Sequence, residues 1–228
     1  MTTDGDAAPV ALPAALFEWD GLAQYKHEGR FLDHYPTDFR TFWSPRDRVH
    51  DLLVALLSST QHSLVLNMFG YDDDELDSII RRKLANEHVY VQMSLDSRQA
   101  AGKHEKRLLE KWKNDGFGNS IAIGQSEKHA ISHLKIVIVD GIYTVKGSTN
   151  WSLSGETEQD NELTLSRNPV IAAETRAVLD LNHDAMLKQM AAKRGRAPAR
   201  RRTAAATSTR SRPSASSPPQ RRRRQPRR

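Results

Sequence analysis

The chain predicts an α/β fold: a mixed β-sheet sandwiched between helices, followed by a disordered basic C-terminal tail. Three observations carry this. Strand-length apolar runs alternate with segments of helical period. An Asp140-Gly141 pair between two apolar runs marks a hairpin, so some strands must be antiparallel. Composition then breaks sharply near residue 193, where large apolar residues stop and arginine takes over.

The elements follow in order. Residues 1–36 read as an irregular N-terminal segment, with Pro9, Pro13 and Pro36 and little periodicity. Asp38 to Trp43 suits a short strand. Ser44-Pro45 resembles a helix cap with proline at the first helical position, and Val49, Leu52, Leu53, Leu56 and Leu57 then recur at helical spacing. Ser63 to Phe69 is a compact strand closed by Gly70. Asp72, Asp73, Asp74 and Glu75 precede a further helix. Carboxylates there cap free N–H groups and oppose the helix dipole, a commoner reason for such a run than a metal. His88 to Leu95 reads as a strand and Gly102 to Asn114 as a charged helix. Ile121 to Ile123 is a short strand, Ile131 to Val139 and Ile142 to Lys146 form the hairpin, and Asn161 to Leu165 is the last strand. Asn168-Pro169 opens a final helix reaching about Ala192. Residues 37–192 thus form the folded domain, with no internal repeat.

Composition excludes several classes. With no cysteine among 228 residues, there is no disulfide framework, thiolate metal site or cysteine nucleophile. No apolar run approaches the roughly 18 residues of a membrane span, so no transmembrane segment is expected. The first twenty residues carry four acidic groups and no Lys or Arg, unlike a secretory signal, and a cytoplasmic location is expected.

The net charge of +6 conceals two opposed parts. Residues 193–228 hold Lys193 and thirteen arginines and no acid, a charge of +14. The rest has twenty basic against 28 acidic residues, a charge of −8. A tail so poor in apolar surface cannot offset the entropy of ordering. It suits polyanions: nucleic acid first, an anionic membrane surface second.

The chemistry lies between His133 and Asn150. In a strand His133 and Lys135 share a face, about 7 Å apart, while Leu134, Ile136 and Ile138 pack on the other. If Val139 pairs with Ile142, Ser148 lies opposite His133 and Asn150 falls on the same face. An imidazole nucleophile then meets Lys135, Ser148 and Asn150 as donors to phosphate oxygens. The same register sets Lys146 against Lys135, an unfavourable pair that asks for a bulge near Gly147 or an anion between them. Asp140, at the far end of the strand, is read as structural.

These residues resemble the phospholipase D superfamily, whose signature is H-x-K, four residues, D, six residues, then G-S-x-N. Here it is met by His133, Lys135, Asp140, Gly147, Ser148 and Asn150 at every interval. The order of elements from Asp38 to about Met190 also fits, so the resemblance covers about two thirds of the chain. It implies a phospholipase D-like catalytic domain that hydrolyses phosphodiesters without a metal or other cofactor. His133 would form a phosphohistidine, Lys135 and Asn150 would hold the phosphoryl oxygens, and Ser148 would be a lesser contact. A downstream Glu orients the motif His in the family; Glu162 fits best, with Asp160 and Glu158 as alternatives. The chemistry needs two histidines and this chain has one motif, since His104-Glu105-Lys106 lacks the remaining residues. A homodimer sharing one site is therefore implied. Small single-motif members include endonucleases, so nucleic acid is the expected substrate. A phospholipase acting on lipid headgroups and a non-catalytic polyanion binder are the alternatives. Zinc at Glu127, His129 and His133 is disfavoured for want of further ligands. Trp151 reads equally well as a wall of the site and as core.

Overall fold

A computed structural model describes residues 17–118 and 120–196. Seven strands form one sheet: β1 (Phe39–Ser44), β2 (Ser63–Met68), β3 (Tyr90–Asp96), β4 (Ile121–Gly124), β5 (Lys135–Val139), β6 (Tyr143–Gly147) and β7 (Asn161–Arg167). Their order across the sheet is β1-β7-β6-β5-β2-β3-β4. β2, β3 and β4 are parallel, and every other pairing is antiparallel. The sheet is therefore mixed. It divides at β2, whose parallel neighbour is reached through a helix and whose antiparallel neighbour belongs to the hairpin.

Helices α1 (Val49–Ser58), α2 (Asp74–Leu84), α3 (Lys103–Asn114) and the short α4 (Leu153–Thr157) accompany α5 (Pro169–Arg196). The larger core joins Leu52, Leu56, Leu76, Ile80, Leu108 and Trp112 to the strand residues Leu66, Met93, Val137 and Leu165. The smaller core packs Ala172 and Leu179 of α5 against Val65 and Ile138, with Leu134 and Ile136 beside them. The sheet thus lies between α5 and the other helices, as two alternating faces require.

Local chemistry explains most boundaries. Asp73 caps α2, its carboxylate accepting the Leu76 N–H at 2.7 Å. Asn168 does the same for α5 through the Val170 and Ile171 N–H groups. Ser44-Pro45 does not start α1, which begins at Val49. Asp47 is the reason: its carboxylate accepts the N–H groups of Trp43 and His27 and pairs with Lys26 at 2.5 Å, closing a turn where the helix was expected. The segment before Pro36 contains a 3-10 turn at Asp20–Tyr25, and Phe17, Trp19 and Leu22 are buried in the larger core. α5 continues to Arg196, so the first residues of the basic region are helical. The remainder of the expected disordered tail lies outside the described residues.

The hairpin departs from the expected register. Val139 pairs with Tyr143, not Ile142, and the turn takes three residues with Asp140 and Gly141 at positive φ. The one-residue shift moves Lys146 opposite Ile136, on the other face from Lys135. No bulge or bridging anion is needed to separate the two lysines. The shift also places Ser148 opposite Leu134 in projected register rather than His133.

Candidate active site

The site assembles where β2, β5 and β6 end together. β5 begins at Lys135 and pairs there with Met68, so His133 lies just before the strand rather than in it. The chain at 132–134 is held by other means: the Ser132 N–H donates to the buried Asp96 carboxylate at 2.8 Å, and the Ser132 hydroxyl donates to Asn67 Oδ1 at 3.3 Å. His133 is exposed and stands edge-on to Phe69, ring centres 4.5 Å apart. Lys135 is only 5% exposed. Its Nζ donates to the His133 carbonyl at 3.1 Å and lies 4.7 Å from the Phe69 ring centre. Among the described residues it has no carboxylate partner. Burial alone lowers its pKa from the ordinary lysine value. An ammonium desolvated and left without a counter-ion is prepared for an anion.

Asn150 reaches the same neighbourhood through Gly70, the residue after Phe69. A Cβ at Gly70 would stand 3.0 Å from Asn150 Cγ, and the Trp151 N–H donates to the Gly70 carbonyl at 3.1 Å. Among the described residues no side-chain hydrogen bond engages the Asn150 amide, and its buried Oδ1 has no partner. Phe69-Gly70 is thus the hinge around which His133, Lys135 and Asn150 gather.

The other motif residues serve the frame. A Cβ at Gly147 would fall 2.1 Å from the Glu162 carbonyl oxygen, so only glycine allows β6 and β7 to close there. Ser148 donates its hydroxyl to Asn161 Oδ1 and accepts the Glu162 N–H, both at 3.0 Å. That hydroxyl fastens the hairpin to β7. Asp140 accepts the N–H groups of Gln61, His62 and Ser63 at 2.7 to 3.0 Å, capping the start of β2 from the far end of the sheet.

Glu162 is half-buried and accepts the Thr164 hydroxyl at 2.6 Å. Among the described residues no hydrogen bond joins it to His133. It lines an open cleft of about 720 Å³ with Trp43, Arg46, Ser148, Asp160 and Asn161. Trp151 is core: it is 2% exposed and packs beside Tyr71. His104 sits exposed on α3, away from any motif. Among the described residues, Glu127, His129 and His133 do not converge as a metal-binding group.

Asp96, Asn67 and Phe69 escaped the sequence reading. Each lies at a strand end among apolar neighbours, and only the readable position of the motif pointed toward that end of the sheet.

A family model described as "Cardiolipin synthase, PLD-like domain" matches residues 53–181, more than half of the chain. The chain belongs to the phospholipase D-like family. The matched stretch contains the whole motif, and members of this superfamily generally act on phosphodiesters. A comparison with curated proteins finds no match. Among solved structures the phospholipase D-like fold recurs in Nuc from Salmonella typhimurium, described as a phospholipase D family member. It is 19% identical, the match covering 64% of this chain and 94% of that one, with a TM-score of 0.55. NucT from Helicobacter pylori is 15% identical, covering 64% and 96% respectively, also with a TM-score of 0.55.

Proposed function

We propose that the protein hydrolyses phosphodiester bonds in nucleic acid, without a metal, through a phosphohistidine on His133 at a site completed by a second copy of the chain. The observation that carries this is Lys135: a buried ammonium with no carboxylate partner among the described residues, beside an exposed imidazole. Lys135 and Asn150 would hold two non-bridging oxygens, drawing charge from phosphorus. A His133 ring nitrogen attacks phosphorus and the bond to the leaving oxygen breaks. His133 of the partner subunit gives that oxygen a proton. It then removes a proton from the water that displaces the phosphohistidine, which returns both rings to their starting states. Glu162 is the candidate to orient an imidazole, most simply one brought across the dimer axis.

The +14 region from residue 193 favours nucleic acid, because it would concentrate a polyanion around the domain. The test presents the full chain with plasmid and with labelled phospholipid vesicles, both in EDTA. Nicking without headgroup release is expected. Headgroup release without nicking would make the enzyme a lipid hydrolase. Denaturing a slow, radiolabelled reaction in alkaline detergent, where a phosphohistidine survives, should leave label on the protein, and none on His133→Ala. Label absent from the native chain during turnover would overturn the phosphohistidine.

A further inference from the structure

A second cluster of chemistry-bearing side chains lies outside the motif, where α1, α2 and α4 meet. His50 projects from α1, Asp73 caps α2 and Glu156 lies in α4. One potential ligand atom from each lies within 4.8 Å of the other two. His50 Nδ1 is 2.6 Å from Glu156 Oε2 and 3.6 Å from Asp73 Oδ2. On its other side His50 Nε2 is 3.1 Å from the exposed Glu75 carboxylate. The Glu156 side chain is wholly buried, and among the described residues its second oxygen, Oε1, has no hydrogen-bond partner. Asp73 uses Oδ1 to cap α2, which leaves Oδ2 for the cluster.

An imidazolium alone satisfies this arrangement poorly. Among the described residues it leaves the buried Glu156 Oε1 orphaned in the interior, which is costly. We infer that His50, Asp73 and Glu156 bind one divalent transition-metal ion. The ion takes the Nδ1 lone pair, Asp73 Oδ2 and the Glu156 carboxylate, through one or both of its oxygens. The proton held at Nδ1 leaves to solvent as the ion enters. Nε2–H stays donated to Glu75, which fixes the tautomer that aims Nδ1 inward, as an outer carboxylate does for many metal-bound histidines. Ligands about 2 Å from zinc stand roughly 3.3 Å apart, so the present spacings need only small side-chain shifts. One imidazole with two carboxylates selects zinc, cobalt or manganese over calcium and magnesium, which prefer oxygen alone.

The ion would cross-link the two segments that frame Asn150. The Asp72 and Asp73 N–H groups donate to the Trp151 carbonyl at 2.9 and 3.2 Å, and Glu156 begins its helical bonding at Ser152. No ligand belongs to the motif, so the ion stiffens the Asn150 loop and takes no part in phosphoryl transfer.

The test is metal binding itself, read without substrate and so independent of the proposed hydrolysis. The full chain, stripped with EDTA and dialysed, is equilibrated with ZnCl2 and separately with CoCl2. About one ion per chain is expected, with a melting temperature raised by several degrees when the metal exceeds its Kd a hundred-fold. His50→Ala and Glu156→Gln should each weaken binding at least ten-fold, with native far-UV circular dichroism. Glu75→Gln changes an exposed group, leaves the fold intact and should weaken binding by a smaller factor. His133→Ala should bind as the native chain does. No saturable binding of either ion up to 100-fold molar excess, or binding unchanged by His50→Ala and Glu75→Gln, would overturn the site.

Discussion

Lys135, which the proposed mechanism assigns to the substrate anion, also costs the fold stability. Its charge is desolvated and answered only by the His133 carbonyl and the Phe69 ring. Lys135→Met should therefore raise stability by about 1 kcal/mol in urea unfolding while lowering hydrolysis at least about a hundred-fold. The pH dependence has a definite sign. Burial lowers the folded pKa, so above that value the unfolded chain binds more protons than the folded one. Native stability from this group should rise with pH until about 10.4, the unfolded value, and the rise should vanish in Lys135→Met. Asp140 shows the opposite economy, a carboxylate wholly engaged in structure. Asp140→Ala strands the Gln61, His62 and Ser63 N–H groups and should cost about 2 to 3 kcal/mol, with the deficit visible in urea midpoint before any loss of turnover at 25 °C. The motif's residue types and spacing were legible because each interval is local. Its register was not, because a three-residue turn and a two-residue turn both suit Asp140-Gly141, and pairing with β7 decides between them.

Among the elements, the N-terminus of α2 shows how one run of acids serves several ends. Asp73 caps the helix, as the sequence suggests, yet its second oxygen faces His50. Capping and metal binding were therefore never exclusive. Asp74 pairs with Arg107 and Lys111 of α3, and their hydrogen bonds hold its carboxyl down to about 2. That stabilisation is present above about pH 3.9 and is lost as pH falls toward 2; because the group is half-exposed, only a few tenths of a kcal/mol is expected. Asp74→Asn should leave neutral-pH activity unchanged and flatten the acid limb of the unfolding curve by that amount. Strands β2 and β7 and helices α2, α3 and α5 were readable from period and caps. α1 began late because Asp47 binds partners far away in sequence, and α4 is too short for periodicity to reveal.

For the whole molecule, two expectations concern surfaces rather than core. A dimer should appear in sedimentation at the concentrations where the enzyme turns over; an active chain that remains monomeric would remove the shared site. Truncation after Arg196 spares α5 and removes eleven arginines. The salt dependence of nucleic-acid binding should flatten by about 0.9 in log–log slope for each phosphate that the shortened chain no longer neutralises, while hydrolysis of a short substrate persists. Amino-acid order alone was enough for the alternation of strands and helices, the charge division and the reactive motif, since each is written in neighbouring residues. Packing had to decide how Phe69-Gly70 gathers His133, Lys135 and Asn150, and how His50, Asp73 and Glu156 meet. Phe69 and His133, Gly70 and Asn150, and the three residues of the second cluster are each separated by more than twenty positions, and burial of the sheet's two faces brings each of these sets within a few ångströms.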